Sequence, residues 1–370
     1  MPRLNLESQS SHTIQIGNRE VGVRHPPLII AEISANHGGD YNRAIRIIDG
    51  AAEAGADAIK FQAYTADSLT INSKKDDFLL AGPSLWQGQR LYDLYTSSAT
   101  PYEWFPSLFR HCRERNLIPF ASPFDENAVD MLKDLESPAY KIASFEAVDH
   151  GLISACAATG KPLIISTGLC NRAEIQEAIA AAQSAGGKDI VLLHCNSSYP
   201  AKRNEANLMN ITALAKEFNV PVGYSDHTLG TISAAAACAI GACMIEKHVI
   251  DSPFPKTADS AFSLTPDLLK NLVQDCYAAW TSRGCMHDGP TETEKASLIF
   301  RRSLYIVKNI TAGERFTSEN IRSIRPGYGL PPKYMSNILG KPATRALEIG
   351  EALQWEMVEG GLGKNEKSDQ

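Results

Sequence analysis

The sequence predicts an α/β chain: a (β/α)8 TIM barrel entered through an N-terminal β-hairpin and followed by a small, β-rich C-terminal domain. Three observations carry this. Eight short apolar runs, at 28–33, 58–62, 118–122, 139–143, 163–167, 190–195, 220–224 and 243–247, recur at intervals that leave room for a helix. Eight strand–helix units fill about 250 residues, which accounts for the chain up to a last helix predicted at 266–281. Beyond a polar stretch near 284–293 the pattern changes to short β pieces and turns at 303–307, Gly313-Glu314, 322–325 and the PGYGLPP run 326–332. The boundaries expected are therefore 1–285 for the barrel with its hairpin, 286–300 for a linker, 301–362 for the second domain and 363–370 for a polar, disordered tail.

Each element has a local reason. Residues 13–23 (TIQIGNREVGV) alternate apolar and polar side chains about a Gly-Asn turn, the pattern of a two-stranded hairpin, which is expected to plug the bottom of the barrel. Helices are predicted at 41–54, 128–135, 172–185 and 207–218, several opening on an acidic residue or Asn suited to an N-terminus. An alanine-rich helix at 232–240 joins the last two strands into a βαβ unit. The connection 63–100 is too long and turn-rich for an ordinary loop, and a loop of that kind at the C-terminal edge is a lid or a substrate wall.

Bulk properties exclude several functions. The net charge is −6, and Lys and Arg are scattered, so neither nucleic acid nor an anionic membrane is expected as a partner. The eight cysteines show no Cys-x-x-Cys spacing and read as reduced, buried thiols of a cytoplasmic protein. No apolar run is long enough to span a bilayer.

In a barrel the strand ends face the site, so their census decides the chemistry. Strand one ends in Glu32, with Asn36 and His37 beyond it. Strand two brings Lys60 and Gln62, strand three Ser122, and strand four Lys141, Ser144 and Glu146. Strand five adds Ser166, Thr167 and Gly168, and strand six His194, Asn196, Ser197 and Tyr199. Ser225, Asp226 and His227 follow strand seven, while Lys247 and His248 close strand eight. Lys60 and Lys141 with several hydroxyls form a cradle for a phosphate plus a carboxylate, which favours a small, doubly anionic substrate. His227 and His248 emerge at the same edge, where two imidazoles can hold one metal ion. The blander readings are loop hydrogen bonds for the histidines, helix caps for the serines, and ion pairs of Lys60 with Glu32 and Lys141 with Glu146. For the histidines, the additional charges Asp226 and Lys247 weigh toward a site, because charges cost free energy unless paired. A Schiff-base aldolase using Lys60 or Lys141 is the alternative from a different class.

Ordered motifs along the whole chain then resemble one family. Ile-Ser-Ala-Asn-His (33–37), Ser-Pro-Phe-Asp (122–125), Tyr-Lys-Ile-Ala-Ser-Phe-Glu (140–146), Ile-Ser-Thr-Gly (165–168), Tyr-Ser-Asp-His-Thr (224–228), Glu-Lys-His (246–248) and Asp-Ser-Ala-Phe-Ser-Leu (259–264) look like the sialic acid synthase family. Phe-Arg-Arg-Ser-Leu-Tyr (300–305) and 322–330 resemble its antifreeze-like (SAF) domain, a β-clip fold. Leu-Tyr-Asp-Leu-Tyr (91–95), Ala-Ser-Phe-Glu (143–146) and the 259–264 motif are most similar to its pseudaminic branch. The resemblance implies a transferase that condenses phosphoenolpyruvate with an N-acetylated amino sugar, in that branch 2,4-diacetamido-2,4,6-trideoxy-L-altrose. Legionaminic and N-acetylneuraminic acid synthesis are the same chemistry with another sugar. It further implies a divalent metal ion (Mn²⁺ or Mg²⁺, or Co²⁺) on His227 and His248. Lys60, Ser122, Lys141, Ser144, Ser166, Ser197 and Ser225 match phosphoenolpyruvate-binding positions, and Gln62, Glu146, Tyr199 and Asp259 match sugar-binding ones. Glu32 and Glu146, with the two lysines, suit the catalytic roles. Arg325 matches an arginine that the family inserts into the partner subunit's site, which implies a homodimer with swapped SAF domains. The chain departs from the family pattern at Val249, at Lys256-Thr-Ala258 and at Ser197.

Overall fold

A computed structural model describes residues 12–82 and 85–361. The chain divides into two compact units, Met1–Gly284 and Cys285–Gln370. The predicted tail 363–370 lies outside the described residues.

The described part of the first unit opens with the hairpin β1 (Ile14–Ile16) and β2 (Arg19–Val21). Eight parallel strands follow: β3 (Leu28–Glu32), β4 (Ala58–Ala63), β5 (Ile118–Pro123), β6 (Tyr140–Ile142), β7 (Leu163–Ser166), β8 (Ile190–Cys195), β9 (Val222–Asp226) and β10 (Met244–His248). They close in sequence order, with β10 pairing both β9 and β3. Ile14, Ile16 and Val21 of the hairpin cluster with Leu28, Ile30, Ala58, Phe120, Ile164, Val191, Leu193 and Met244, so the hairpin does plug the barrel floor. The opposite strand face packs on helices such as Tyr41–Ala54, Phe105–Glu114 and Pro266–Ser282. Polar caps start several of these layers. Asp40, Asp125 and Asn171 each accept a backbone N–H of the following first turn. At Asn171, Glu174 returns the bond to complete a capping box.

The strand expected at 220–224 begins two residues later, after Pro221, which has no N–H to give a ladder. That shift carries Ser225 into the strand and onto the inner face. Among the described residues of 63–100 are the helices Ala66–Leu69 and Leu91–Ser98, a 3-10 turn Asp76–Phe78 and a bridge between Leu79 and Arg90 rather than continuous loop. Of the cysteines, Cys285 is exposed and Cys170 half-buried, the rest being buried thiols. Among the described residues no helix is long and apolar enough to cross a membrane.

In the second unit, a short helix Glu292–Lys295 and a 3-10 turn Ala296–Phe300 occupy most of the stretch expected as linker. Then β11 (Ser303–Ile306) pairs antiparallel with β12 (Ile321–Ile324). Single bridges, Ile310 with Leu347 and Ala343 with Val358 among them, close a core of Leu304, Ile306, Phe316, Ile321, Leu330 and Leu353.

Candidate active site

The period of two in a strand decides which side chains enter the barrel. Ile30 and Met244 lie in the floor cluster, so Glu32, Glu246 and His248, an even number of residues further along, also point inward. The register sets Glu32 beside both Lys60 and His248, Gln62 beside Ser122, and Ser225 beside both Glu246 and Cys195. Above the apolar floor the lumen is therefore lined by charge.

At its centre stand two ammonium groups and two carboxylates, all buried. Lys60 Nζ lies 2.9 Å from Glu32 and 3.5 Å from Glu246, and Lys141 Nζ lies 3.8 Å from Glu246. The sequence suggested Glu146 as the partner of Lys141, and the structure corrects this. Lys141 points across the lumen to Glu246, whereas Glu146 sits past the strand end in the turn Ser144–Glu146. Burial opposes ionisation of Glu246, but Lys141 and Lys60 outweigh it and hold the carboxyl well below the usual carboxylate range. Burial also works against the charge of Lys60, yet Glu246 and Glu32 prevail and raise its basicity. Burial pushes the Glu32 carboxyl up and lowers the basicity of Lys141. Glu146, with Oε2 buried and no hydrogen-bond partner among the described residues, is pushed up to about 7, chiefly by desolvation.

Hydroxyls surround this charge. Lys60 donates to Ser122 Oγ at 3.3 Å, Lys141 to Ser166 Oγ at 2.7 Å, and Ser225 Oγ to Glu246 at 3.1 Å. Ser144 Oγ lies 3.1 Å from Cys195 Sγ, with Ser197 Oγ 4.0 Å from the same sulfur. Gly168 faces all three groups, and a Cβ there would meet Ser197 Oγ at 2.2 Å and Ser144 Oγ at 2.7 Å. Only glycine leaves that cradle open.

The two imidazoles face each other across the rim, ring centres 5.5 Å apart, with Phe262 against both. His227 Nδ1 bonds to the Asn196 carbonyl at 2.8 Å, so this nitrogen carries the proton and Nε2 keeps its lone pair. Burial first, then His248, lowers the His227 pKa to about 3, and the ring is neutral. His248 Nδ1 lies 3.5 Å from the Asp259 carboxylate, which itself accepts from Ser34 and the Ala35 N–H. A ring turned by one nitrogen toward a carbonyl or carboxylate, with the other nitrogen free, is what a metal ligand requires, so the pair fits a divalent ion. Among the described residues no cluster of three or more His, Cys, Asp or Glu has metal-holding geometry. As ligands, two imidazoles would leave the other positions to substrate and water.

Gln62 donates to Glu32 at 3.3 Å, and Tyr199 packs 4.5 Å from His227. The 63–100 segment reaches the same rim: Trp86 meets Tyr199 at 5.9 Å and Tyr95 meets Tyr64 at 5.9 Å. Arg325 lies in the second unit, exposed, directly after β12. Three strand-end residues that the sequence groups with the site face away from the lumen. Lys247 and Asp226, fully buried on the outer face, pair at 2.8 Å, and His194 turns outward to the Ala206 carbonyl. Sequence reasoning missed Glu246 and Phe262 as site residues. They stand in the motifs 246–248 and 259–264, and only strand register reveals that Glu246 faces the lumen.

Fold and mouth together define a (β/α)8 enzyme that gathers an anionic substrate beneath a rim of imidazoles. The chain belongs to the NeuB family, whose profile matches residues 47–288, and a SAF domain matches residues 301–359. It is 41% identical to the pseudaminic acid synthase of Campylobacter jejuni subsp. jejuni serotype O:23/36 over 344 residues, 92% of this chain and 98% of that protein. It is 37% identical to the N,N'-diacetyllegionaminic acid synthase of Legionella pneumophila over 341 residues, 90% and 94% of the two chains. The structure of N-acetylneuraminic acid (sialic acid) synthetase from Leptospira borgpetersenii in complex with citrate superposes with a TM-score of 0.70 at 32% identity, covering 78% of this chain and 96% of that one.

Proposed function

We propose that this chain is a cytoplasmic pseudaminic acid synthase. It condenses phosphoenolpyruvate with 2,4-diacetamido-2,4,6-trideoxy-L-altrose to give pseudaminic acid and phosphate. The observation that carries the reading is the 41% identity to a pseudaminic acid synthase over nearly the full length of both chains, on a mouth built for a phosphate and a carboxylate.

Lys60 and Lys141 balance the substrate's charge, and Ser122, Ser144, Ser166, Ser197 and Ser225 donate to its oxygens around the Gly168 opening. His227 and His248 would hold the divalent ion, which would supply Lewis-acid polarisation of the sugar aldehyde. C3 of phosphoenolpyruvate bonds to the aldehyde carbon, whose oxygen takes up a proton; water adds at C2 and loses one, and the C2–O bond to phosphate then breaks as the new C2 hydroxyl gives up its proton and becomes the carbonyl. Glu32, whose carboxylate lies 2.9 Å from Lys60 Nζ, orients that water and takes its proton. Glu146, Gln62, Tyr199 and Asp259 address the sugar. Arg325 completes the sugar site of the partner subunit in a homodimer with swapped SAF domains.

The test is phosphate release from phosphoenolpyruvate with Mn²⁺ or Mg²⁺, run beside a chelator control, with the trideoxy-altrose, the trideoxy-mannose and N-acetylmannosamine as acceptors. Release with the altrose derivative alone is the expected result. Release with the trideoxy-mannose alone makes the chain a legionaminic acid synthase, and release with none refutes the synthase reading. A Schiff-base reaction is the second reading, because burial lowers the basicity of Lys141.

A further inference from the structure

Between β10 and the helix Pro266–Ser282 the chain makes a strap, residues 250–263, that carries Asp259 to the mouth. Its base is closed by main chain: Ile250 donates to the Leu264 carbonyl at 2.9 Å, and Leu264 to that of His248 at 2.8 Å. The rest of the strap is held by side chains of the segment following β3. Asn36, fully buried, donates to the Val249 carbonyl at 2.8 Å and to Ser263 Oγ at 2.7 Å, and accepts from Thr257 Oγ1 at 2.5 Å. Arg43, 3% exposed, gives Nε to Asp251 at 2.7 Å, Nη2 to the Ser252 carbonyl at 2.9 Å and Nη1 to the Pro255 carbonyl at 3.0 Å.

A guanidinium buried in this way has exchanged water for one carboxylate and two carbonyls of a single loop. Such a group fixes the loop as a rigid body, because its donors lie in one plane and their acceptors must match that plane. The strap is also one wall of a cavity of about 730 Å³, with Lys256, Thr257 and Ser260 facing Trp86 and Leu94 of the 63–100 segment. Asp259, at the inner end of the strap, lies 3.5 Å from His248.

We infer that Arg43 is a positioning residue for the sugar half of the mouth: it sets the strap 250–263, and through it Asp259 and the cavity wall. The phosphoenolpyruvate half is built from β4 to β10 and does not depend on it. This inference rests on the synthase reading proposed above.

Arg43→Lys keeps the charge opposite Asp251 but cannot reach both carbonyls in one plane. A shift of the strap by about an ångström then raises the sugar's KM by roughly ten-fold or more while that of phosphoenolpyruvate stays within about two-fold. Amide hydrogen exchange should accelerate in 250–263 and not in the barrel strands. Asp251→Asn, on the strap itself, should show the same split in weaker form, and it supplies the test if Arg43→Lys does not fold. Equal changes in both KM values, or an unchanged sugar KM despite faster strap exchange, overturn the inference. Wild-type enzyme inactive with every sugar overturns the synthase reading and, with it, the sugar role of the strap. Faster strap exchange in an active wild-type background with altered sugar KM upholds both.

Discussion

Glu246→Gln separates an anion site from a merely structural charge cluster. The carboxylate lies 3.5 Å from Lys60 and 3.8 Å from Lys141, and among the described residues it is the only carboxylate within ion-pair distance of Lys141. At 3.8 Å the attraction is about 4 kcal/mol with an effective dielectric near 20. Removing one partner of a buried pair costs about 3–5 kcal/mol, since the other charge stays uncompensated. For a unit of this size that lowers Tm by on the order of 10 °C. Phosphoenolpyruvate brings the missing negative charge back into the lumen. Thermal unfolding of both proteins, with and without phosphoenolpyruvate and with no sugar present, measures this. The variant should be less stable when free, and phosphoenolpyruvate should raise its Tm by more than it raises that of the wild type. An unchanged Tm, or an equal rise in both proteins, would refute the account of the two lysines as the anion's counter-charge.

Three further outcomes are expected. His227→Ala and His248→Ala should each abolish chelator-sensitive phosphate release and Mn²⁺ binding by calorimetry while the circular dichroism spectrum is retained; binding kept by either variant removes that residue from the ligand pair. Glu146 titrates near 7 in the fold against an ordinary 4.5, so the stability tied to its neutral form is complete below 4.5 and lost as pH rises through about 7. Glu146→Gln should therefore be more stable than the wild type at pH 8 and no more stable at pH 4, and denaturation series at the two pH values check this. Arg325→Ala should raise the sugar's KM far more than that of phosphoenolpyruvate, and steady-state kinetics showing equal effects would contradict the role proposed for it in a swapped dimer.

The barrel was legible because buried parallel strands leave a strong mark: short apolar runs, spaced by a helix's length. The lumen was legible in part. Lys60, Lys141 and the serines are polar residues at the ends of apolar runs, and such residues have few reasons to be there. Glu246 was hidden for a physical reason. In Met244–His248 the last three residues are all polar, so hydropathy cannot say which of Glu246 and Lys247 enters the barrel. Register decides it, sending Lys247 outward to Asp226 and leaving Glu246 between the lysines. Asn36 and Arg43 were illegible as a pair with the strap, since the partners lie more than 200 residues away and nothing local marks a helix-surface arginine as buried. The delayed start of β9 followed from Pro221, which the strand pattern alone passed over.

The same geometry bears on whether a lysine acts as nucleophile. An imine-forming amine must be neutral, with its lone pair free to meet a carbonyl carbon. Lys60 fails on the first count, because Glu246 and Glu32 raise its basicity. Burial brings Lys141 nearer to neutrality, but its Nζ donates to Ser166 Oγ at 2.7 Å and to the Ile142 carbonyl at 3.3 Å, with Glu246 at 3.8 Å beyond. Those contacts use the protons of an ammonium group. Borohydride treatment in the presence of pyruvate tests this directly. The condensation reading predicts an unmodified chain by intact mass and full activity after the reagents are removed. A pyruvyl adduct mapped to Lys141 would show that its lone pair is available after all, and the lumen would then have to be read as an aldolase site.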